Sequence, residues 1–178
     1  MPRQLALLRG INLASKRRVP MAELRRLLDD AGYEDVRTHL QSGNVVLSSP
    51  LPPRQLEAAL ERQLAKALGF EIPVLVRTRA ELAKVVAQDP LGKVAANRSR
   101  YLVVFLSKRL PAKVARELEA ADVAPEQVVV RGRELYAWHA DGVQRSQLSK
   151  LLDDRKLGVV STARNWNTVV KLLELLDE

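Results

Sequence analysis

The sequence has no cysteine among its 178 residues, which excludes disulfide bonds, thiolate catalysis and cysteine-bound metals. It has only two histidines, His39 and His139, and their spacing is not that of a metal site. We therefore expect no metal. No phosphate-loop or dinucleotide fingerprint is present, so we also expect no cofactor.

Long hydrophobic runs are missing as well. No apolar stretch approaches the ~20 residues needed to cross a bilayer. The run Leu5–Leu8 near the N-terminus is too short for a signal-peptide core. From these absences we predict a cytoplasmic protein with no membrane partner.

Aromatic residues make up only 4% of the chain, which disfavours RNA recognition by aromatic side chains stacked on bases. The net charge of +8 instead favours anionic partners, such as nucleic acid or phosphorylated metabolites. Apolar residues at 47% and charged residues at 28% are typical of a globular protein.

The first half of the chain predicts the element order β-α-β-β-α-β of a ferredoxin-like fold. Leu5–Leu8 is apolar throughout, which indicates a strand buried on both faces. A helix carrying the stripe Met21, Leu24, Leu27 and Leu28 ends at Gly32. The remaining predicted elements are strands at 36–41 and 45–48, a helix at 56–68 and a strand at 72–77.

The second half predicts a degenerate version of the same order. We expect helices at 79–88, 111–121 and 146–157, and a last helix from about Asn165 to Leu176. Strands are expected at 100–106, 127–131 and 134–138. The predicted fold is therefore α+β, with two ferredoxin-like βαββαβ-type halves packed together and mostly antiparallel sheets. Residues 1–78 form the first half, and residues 79–178 form the second with extra C-terminal helices.

Three motifs occur in a characteristic order. They are Ala6–Asn12 followed by Lys16 and Val19–Met21, then Leu40–Val46, and then Thr162–Val169. In order and spacing they resemble the bacterial family of unknown function numbered 1697, and the likeness covers essentially the whole chain. Ala163 stands where threonine is frequent in that family. The resemblance implies two ferredoxin-like halves and a bacterial cytoplasmic protein, but no reaction and no catalytic residue.

The first motif is predicted to leave a central strand and enter a polar loop, where α/β proteins tend to place ligands. Arg9 offers a planar fork for a carboxylate or phosphate, and Asn12 can donate and accept hydrogen bonds. Lys16 adds a cation to this loop, whereas Arg17 and Arg18 are expected to be solvated surface residues. The structural alternative is that the motif serves only a turn.

The second motif is predicted to be a hairpin tip, with Gly43 at positive φ. Gln41, Ser42 and Asn44 either contact a ligand or satisfy the turn's own backbone. His39 is the nearest candidate base for Ser42, but residues three apart in a strand point to opposite faces, which disfavours a dyad.

The third motif precedes an apolar helix for which Thr162 or Asn165 could be the N-cap. A helix N-terminus suits an anion, and Arg164 would reinforce that preference. Trp166 either stacks on a base or sugar or anchors the core.

Three functions follow as alternatives. The first is a binding protein or enzyme for an anionic small molecule, in a pocket formed by all three motifs. Its candidate ligand-binding residues are Arg9, Asn12, Lys16, Gln41, Ser42, Asn44, Arg164, Asn165 and Trp166. The second is a nucleic-acid-binding module, which predicts a basic stripe that includes Arg37 and Arg133 and binding that weakens steeply with salt. The third is a structural or oligomerisation module with no ligand.

Overall fold

The computed structural model describes residues 1–178, which form eight strands, six α-helices and three short 3₁₀ turns. The chain divides into two compact units. The first unit is Met1–Ala83 together with Lys171–Glu178, and the second unit is Lys84–Val170. None of the helices is both long enough and apolar enough to span a membrane.

The first unit has the predicted βαββαβ order, with the elements β1 (Arg3–Leu8), α1 (Met21–Asp30), β2 (Glu34–His39), β3 (Asn44–Ser48), α2 (Pro53–Leu68) and β4 (Val74–Thr78). Its sheet has the strand order β2-β3-β1-β4, and every neighbouring pair is antiparallel. The C-terminal segment also contacts this unit, because Arg79 donates to Asp177 at 2.7 and 3.2 Å and Arg37 pairs with Glu178.

Strand β1 is buried on both faces, as its continuous apolar run predicts. Ala6 and Leu8 lie in a core with residues of α1 and α2, whereas Leu5 and Leu7 are fully buried on the opposite face. Helix α2 begins with a proline at its first position and ends at Gly69, whose φ of +79° allows the left-handed C-cap.

Helix α3 (Arg79–Gln88) begins in the first unit and ends in the second. The second unit then contains β5 (Tyr101–Leu106), α4 (Ala112–Ala120), β6 (Gln127–Arg131), β7 (Glu134–Trp138), α5 (Asp154–Leu157) and β8 (Ser161–Asn165). Helix α6 (Trp166–Asp177) follows β8 and ends in the C-terminal segment of the first unit. The second sheet repeats the topology of the first, with strand order β6-β7-β5-β8 and antiparallel pairs throughout. The ferredoxin-like prediction for both halves is confirmed.

Two details of the second half differ from the prediction. The helix expected at 146–157 is replaced by 3₁₀ turns at Val143–Arg145 and Leu148–Leu151 and by the four-residue α5. Side chains redirect this segment: Ser149 donates to the carbonyl of Ser146, and Glu126 accepts from the amides of Gln147 and Leu148.

The second difference is the strand β8, which the sequence did not predict. Its residues Ser161–Asn165 are mostly polar, and they become a strand because they pair with β5 along its full length. The last helix accordingly begins at Trp166, with Asn165 as the residue before it. The second half is therefore a complete βαββαβ unit rather than a degenerate one.

Candidate functional site

The segment between β1 and α1, residues 9–20, is a compact loop at the carboxyl end of a central strand. Gly10, Asn12, Ala14 and Arg17 all have φ between +52° and +70°. Alanine and arginine rarely adopt this left-handed region, and asparagine adopts it more readily than most residues. The loop therefore holds a specific, tightly wound conformation, which needs interactions to keep it.

The side chain of Asn12 supplies those interactions. Its Nδ2 donates to the carbonyl of Val19 at 2.9 Å and to the carbonyl of Gln41 at 2.7 Å, and its Oδ1 accepts from the amide of Val19 at 2.7 Å. The backbone adds a bond from the amide of Asn12 to the carbonyl of Arg17 at 3.0 Å. Asn12 thus closes the loop on itself and fastens it to the tip of the β2–β3 hairpin.

The hairpin tip packs closely against the same strand end. Gly43 has a φ of +88°, and a Cβ at this position would lie 2.8 Å from Leu8 Cβ and 2.8 Å from Ile11 Cδ1. The carbonyl of Gly43 accepts from the amide of Leu8 at 2.8 Å. Only glycine satisfies both the backbone angle and the close approach, so this position joins the first two motifs.

Asn44 stabilises the hairpin tip from its buried side. It is fully buried, and its Nδ2 donates to the carbonyl of His39 at 2.7 Å and to Ser42 Oγ at 3.0 Å. Gln41 and Ser42 are exposed. The buried amide of Asn44 therefore supports the turn, and the exposed polar side chains of the tip are those of Gln41 and Ser42.

Between this loop and the hairpin tip lies a shallow cleft of about 240 Å³. Amide and guanidinium groups supply its polar lining, and small apolar groups supply the rest. The lining residues are Asn12, Ala14, Arg18, Val19, Pro20 and Gln41.

The cations of the loop differ in how they are held. Arg17 donates to the carbonyl of Glu71 at 2.7 Å, and its guanidinium lies 5.3 Å from the ring centroid of Phe70, so it is fixed against the segment before β4. Lys16 and Arg18 are exposed, and neither side chain forms a hydrogen bond or ion pair. Arg9 is half-buried. Arg18, expected only to be solvated, is thus the cation that lines the cleft.

The third motif lies in the second unit, where its polar groups have local partners. Arg164 is buried in β8, and its Nη1 donates to Thr162 Oγ1 at 2.7 Å and to the carbonyl of Ala163 at 2.9 Å. Burial lowers the pKa of the Arg164 guanidinium to about 10. Asn165 Oδ1 accepts from the amide of Thr168 at 2.9 Å, so Asn165 is the N-cap of α6.

Trp166 is a buried anchor in this unit. Its ring stacks on that of Tyr101, with centroids 4.9 Å apart and an angle of 12° between the planes. The guanidinium of Arg98 lies 5.5 Å from the Trp166 ring and 5.6 Å from the Tyr101 ring, and it also contacts the carboxylate of Asp89. A protein cation therefore already occupies the aromatic faces.

A cluster that no sequence motif indicates contains the buried His139 and Ser146 and the partly buried Glu126. His139 Nδ1 lies 2.8 Å from Ser146 Oγ and 3.1 Å from Glu126 Oε2, and Ser146 Oγ also donates to that carboxylate. His139 is 1% exposed, and its Nε2 has no hydrogen-bond partner. The β6–β7 hairpin separates Glu126 from His139, and a loop separates His139 from Ser146, so no local spacing could have revealed the cluster.

Charge in this cluster is set by burial and hydrogen bonding together. Burial lowers the pKa of His139, although Glu126 acts in the opposite direction. Burial acts to raise the pKa of Glu126, but hydrogen bonds from Ser146, from the amide of Leu148 and from His139 outweigh it and lower that pKa. A nucleophilic serine would need an exposed Oγ bonded to the imidazole nitrogen opposite the carboxylate. Here serine and carboxylate share one nitrogen, so the cluster fastens β7 to the loop after it.

Comparison with known proteins gives a family and a fold. The family described as "Protein of unknown function (DUF1697)" matches residues 1–136 of the chain. The structure of conserved bacterial protein SP0830 from Streptococcus pneumoniae is similar, with a TM-score of 0.78 and 23% sequence identity over 98% of each chain. At this identity the likeness concerns the fold. No curated protein matches the sequence.

Proposed function

Because this chain belongs to the DUF1697 family of proteins of unknown function, we propose a function from its own residues: it binds a small anionic molecule in the cleft beside residues 9–20. The observation that carries the proposal is the position of Arg18. Arg18 lines the cleft, and no carboxylate of the protein pairs with its guanidinium. Guanidinium groups bind carboxylates and phosphates through paired hydrogen bonds, so a ligand anion is the partner that this position suits.

The rigidity of the cleft supports binding. The three side-chain hydrogen bonds of Asn12 fix the loop and the hairpin tip before any ligand arrives. A preformed site loses less conformational freedom on binding, which leaves more of the interaction energy as affinity.

The size and chemistry of the cleft limit the ligand. A volume of about 240 Å³ lies below the ~300–1,000 Å³ of sites that enclose drug-sized ligands, so the cleft fits one phosphate or carboxylate group and its neighbouring atoms. The lining side chains supply amide and guanidinium groups but no general base or nucleophile, so the proposal is binding rather than a chemical step.

The test compares two exposed arginines of the first unit. Thermal unfolding and calorimetry would be measured with inorganic phosphate, citrate and adenosine monophosphate as probes. A probe at about 100 times its Kd should stabilise the wild type by about 2.7 kcal/mol. Arg18→Gln should weaken binding by about tenfold or more, which corresponds to about 1.4 kcal/mol. The matched control is Arg26→Gln, an exposed position on α1 whose side chain is also unpaired.

Two results would overturn the proposal: no probe stabilises the wild type, or both variants bind as the wild type does. Chemical-shift mapping with the bound probe would also examine the third motif without a mutation. That Arg164, Asn165 and Trp166 contribute to the same site stays a prediction. Perturbed amide resonances at 162–167 as well as at 12–20 would support it.

A further inference from the structure

One end of the second sheet carries six cationic side chains, and we call this surface the basic end. Three chain segments contribute two cations each: the loop after β5, the tip of the β6–β7 hairpin, and α5 just before β8. The residues are Lys108, Arg109, Arg131, Arg133, Arg155 and Lys156.

Backbone hydrogen bonds place these segments side by side. The amide of Leu106 donates to the carbonyl of Arg133 at 2.9 Å, which joins the end of β5 to the hairpin tip. The amide of Ser107 donates to the carbonyl of Val160 at 2.9 Å, which joins the same strand end to the segment before β8. Neighbouring strands lie about 4.8 Å apart, so the four strand ends extend over about 14 Å.

Most of these cations are available to a partner. Lys108, Arg109 and Arg155 are exposed and their side chains form no hydrogen bond or ion pair. Arg131 and Lys156 are also exposed, and their side chains donate only to backbone carbonyls.

The carboxylates at the basic end are fewer and already engaged. Asp153 accepts from the amide of Lys156 as an N-cap, and Asp154 accepts from both the amide and the hydroxyl of Ser161. Glu134 lies opposite Arg131 in the strand register. Glu119 on α4 adds a fourth carboxylate, which accepts from the amide of Val130 beside Arg131 at 3.0 Å. Four carboxylates against six cations leave the surface with a net positive charge.

The positive charge of the chain is concentrated in the second unit, which contains the basic end. Residues 84–170 contain 15 Lys and Arg against 9 Asp and Glu, a net charge of +6. The first unit contains 14 against 12, a net charge of +2, so the second unit carries most of the total of +8.

We propose that the basic end binds the phosphate backbone of a nucleic acid without sequence preference. Duplex DNA carries one negative charge per ~1.7 Å of its axis, so a surface about 14 Å wide faces several phosphates at once. The three segments contain no aromatic side chain that could stack on a base, which confines the contact to phosphates. The apolar side chains of the segments, such as Leu110 and Leu157, are buried, so nothing inserts into a lipid layer.

The test is the salt dependence of binding to a fluorescein-labelled DNA duplex of about 20 base pairs, measured by fluorescence anisotropy between about 50 and 200 mM KCl. About four phosphate contacts predict a slope of log K against log[salt] near −3.6. The double variant Lys108→Gln/Arg109→Gln should reduce the magnitude of that slope by about 1.8.

The matched control is Lys93→Gln/Arg145→Gln, which also removes one exposed lysine and one exposed arginine. Both positions lie in loops at the other end of the second sheet, before β5 and after β7, and should leave the slope unchanged. Absence of binding at about 50 mM salt, or equal losses in both double variants, would overturn the proposal. So would binding to phosphatidylserine vesicles with the same sensitivity and none to the duplex.

Discussion

Truncating Asn12 should destabilise the protein far more than an exposed loop residue normally does. Its side chain makes three hydrogen bonds, to the carbonyls of Val19 and Gln41 and from the amide of Val19. Each is partly exposed, so each should contribute near the lower part of the usual 0.5–1.5 kcal/mol, or about 2 kcal/mol together. Asn12→Ala also leaves alanine at a φ of +55°, which costs about 1 kcal/mol more. The expected loss is therefore about 3 kcal/mol.

A series at this position separates the two contributions. Asn12→Gly removes the hydrogen bonds but accepts the left-handed backbone, so it should lose about 2 kcal/mol. Asn12→Asp keeps an acceptor for the amide of Val19 but turns its second oxygen toward two carbonyls, so it should lose at least as much as Asn12→Ala. The control is Asn167→Ala, an exposed asparagine whose side chain forms no hydrogen bond, and its change should stay within about 0.5 kcal/mol.

The assay is urea unfolding followed by circular dichroism, together with thermal melting. For a chain of this length, 3 kcal/mol corresponds to a decrease in Tm of about 6–12 °C. A loss below about 0.5 kcal/mol for Asn12→Ala would refute the reasoning. The three hydrogen bonds would then stabilise the folded state no more than hydrogen bonds to water do. Equal losses for the glycine and alanine variants would refute only the backbone contribution.

Two further predictions concern other parts of the fold. Gly43→Ala should cost about 2–5 kcal/mol, from a strained φ and a Cβ 2.8 Å from two core side chains, whereas Gly69→Ala has the strained φ without the contact and should cost about 1–2 kcal/mol in the same urea assay. Acidification from about pH 7 to about pH 5 should lower the free energy of unfolding, because burial lowers the pKa of His139 in the folded state and the unfolded chain then binds more protons. Below that range Glu126 adds to the loss, since its folded pKa is also lowered. His139→Asn should remove the dependence between about pH 7 and 5, and an unchanged slope would contradict the assignment.

Most of the fold follows from local pattern. Residue patterns only a few positions long predict β1, with its continuous apolar run, and the leucine stripes of α1 and α2. They also predict the two hairpins. Strand β8 does not, because its residues are polar and its partner β5 lies some sixty positions earlier. Pairing with a distant strand, rather than propensity, decides its conformation.

In the candidate site, too, some features follow from local sequence and others depend on contacts with distant residues. The sequence predicts where the polar groups of Asn12 and Gln41 lie, since both follow strand ends. It cannot predict that Asn12 bonds to the carbonyl of Gln41, a contact across 29 positions. The buried cluster around His139 escapes prediction for the same reason, because Glu126 and Ser146 reach it from 13 and 7 positions away through a turn.

The two units share the same sheet framework up to the carboxyl ends of β1 and β5. They differ in the loop that follows each of these strands, and this difference bears on function. In the first unit the amide of Leu8 donates to Gly43 and that of Arg9 to Pro73, at 2.8 and 3.0 Å. In the second unit the amides of Leu106 and Ser107 make the equivalent bonds to the carbonyls of Arg133 and Val160, both at 2.9 Å.

After that point the chains diverge. The first unit inserts residues 9–20, a loop wound through left-handed residues and clamped by Asn12, and the second unit has only residues 107–111. A repeated framework explains the fold of both units, so it cannot explain what distinguishes them. The loops can, because loops carry function on a scaffold that stays constant. The long loop lines a cleft with the unpaired Arg18, and the short loop contributes the exposed Lys108 and Arg109 to the basic end. Our two proposals follow this difference: a small anion at this end of the first sheet, and an extended polyanion at the corresponding end of the second sheet.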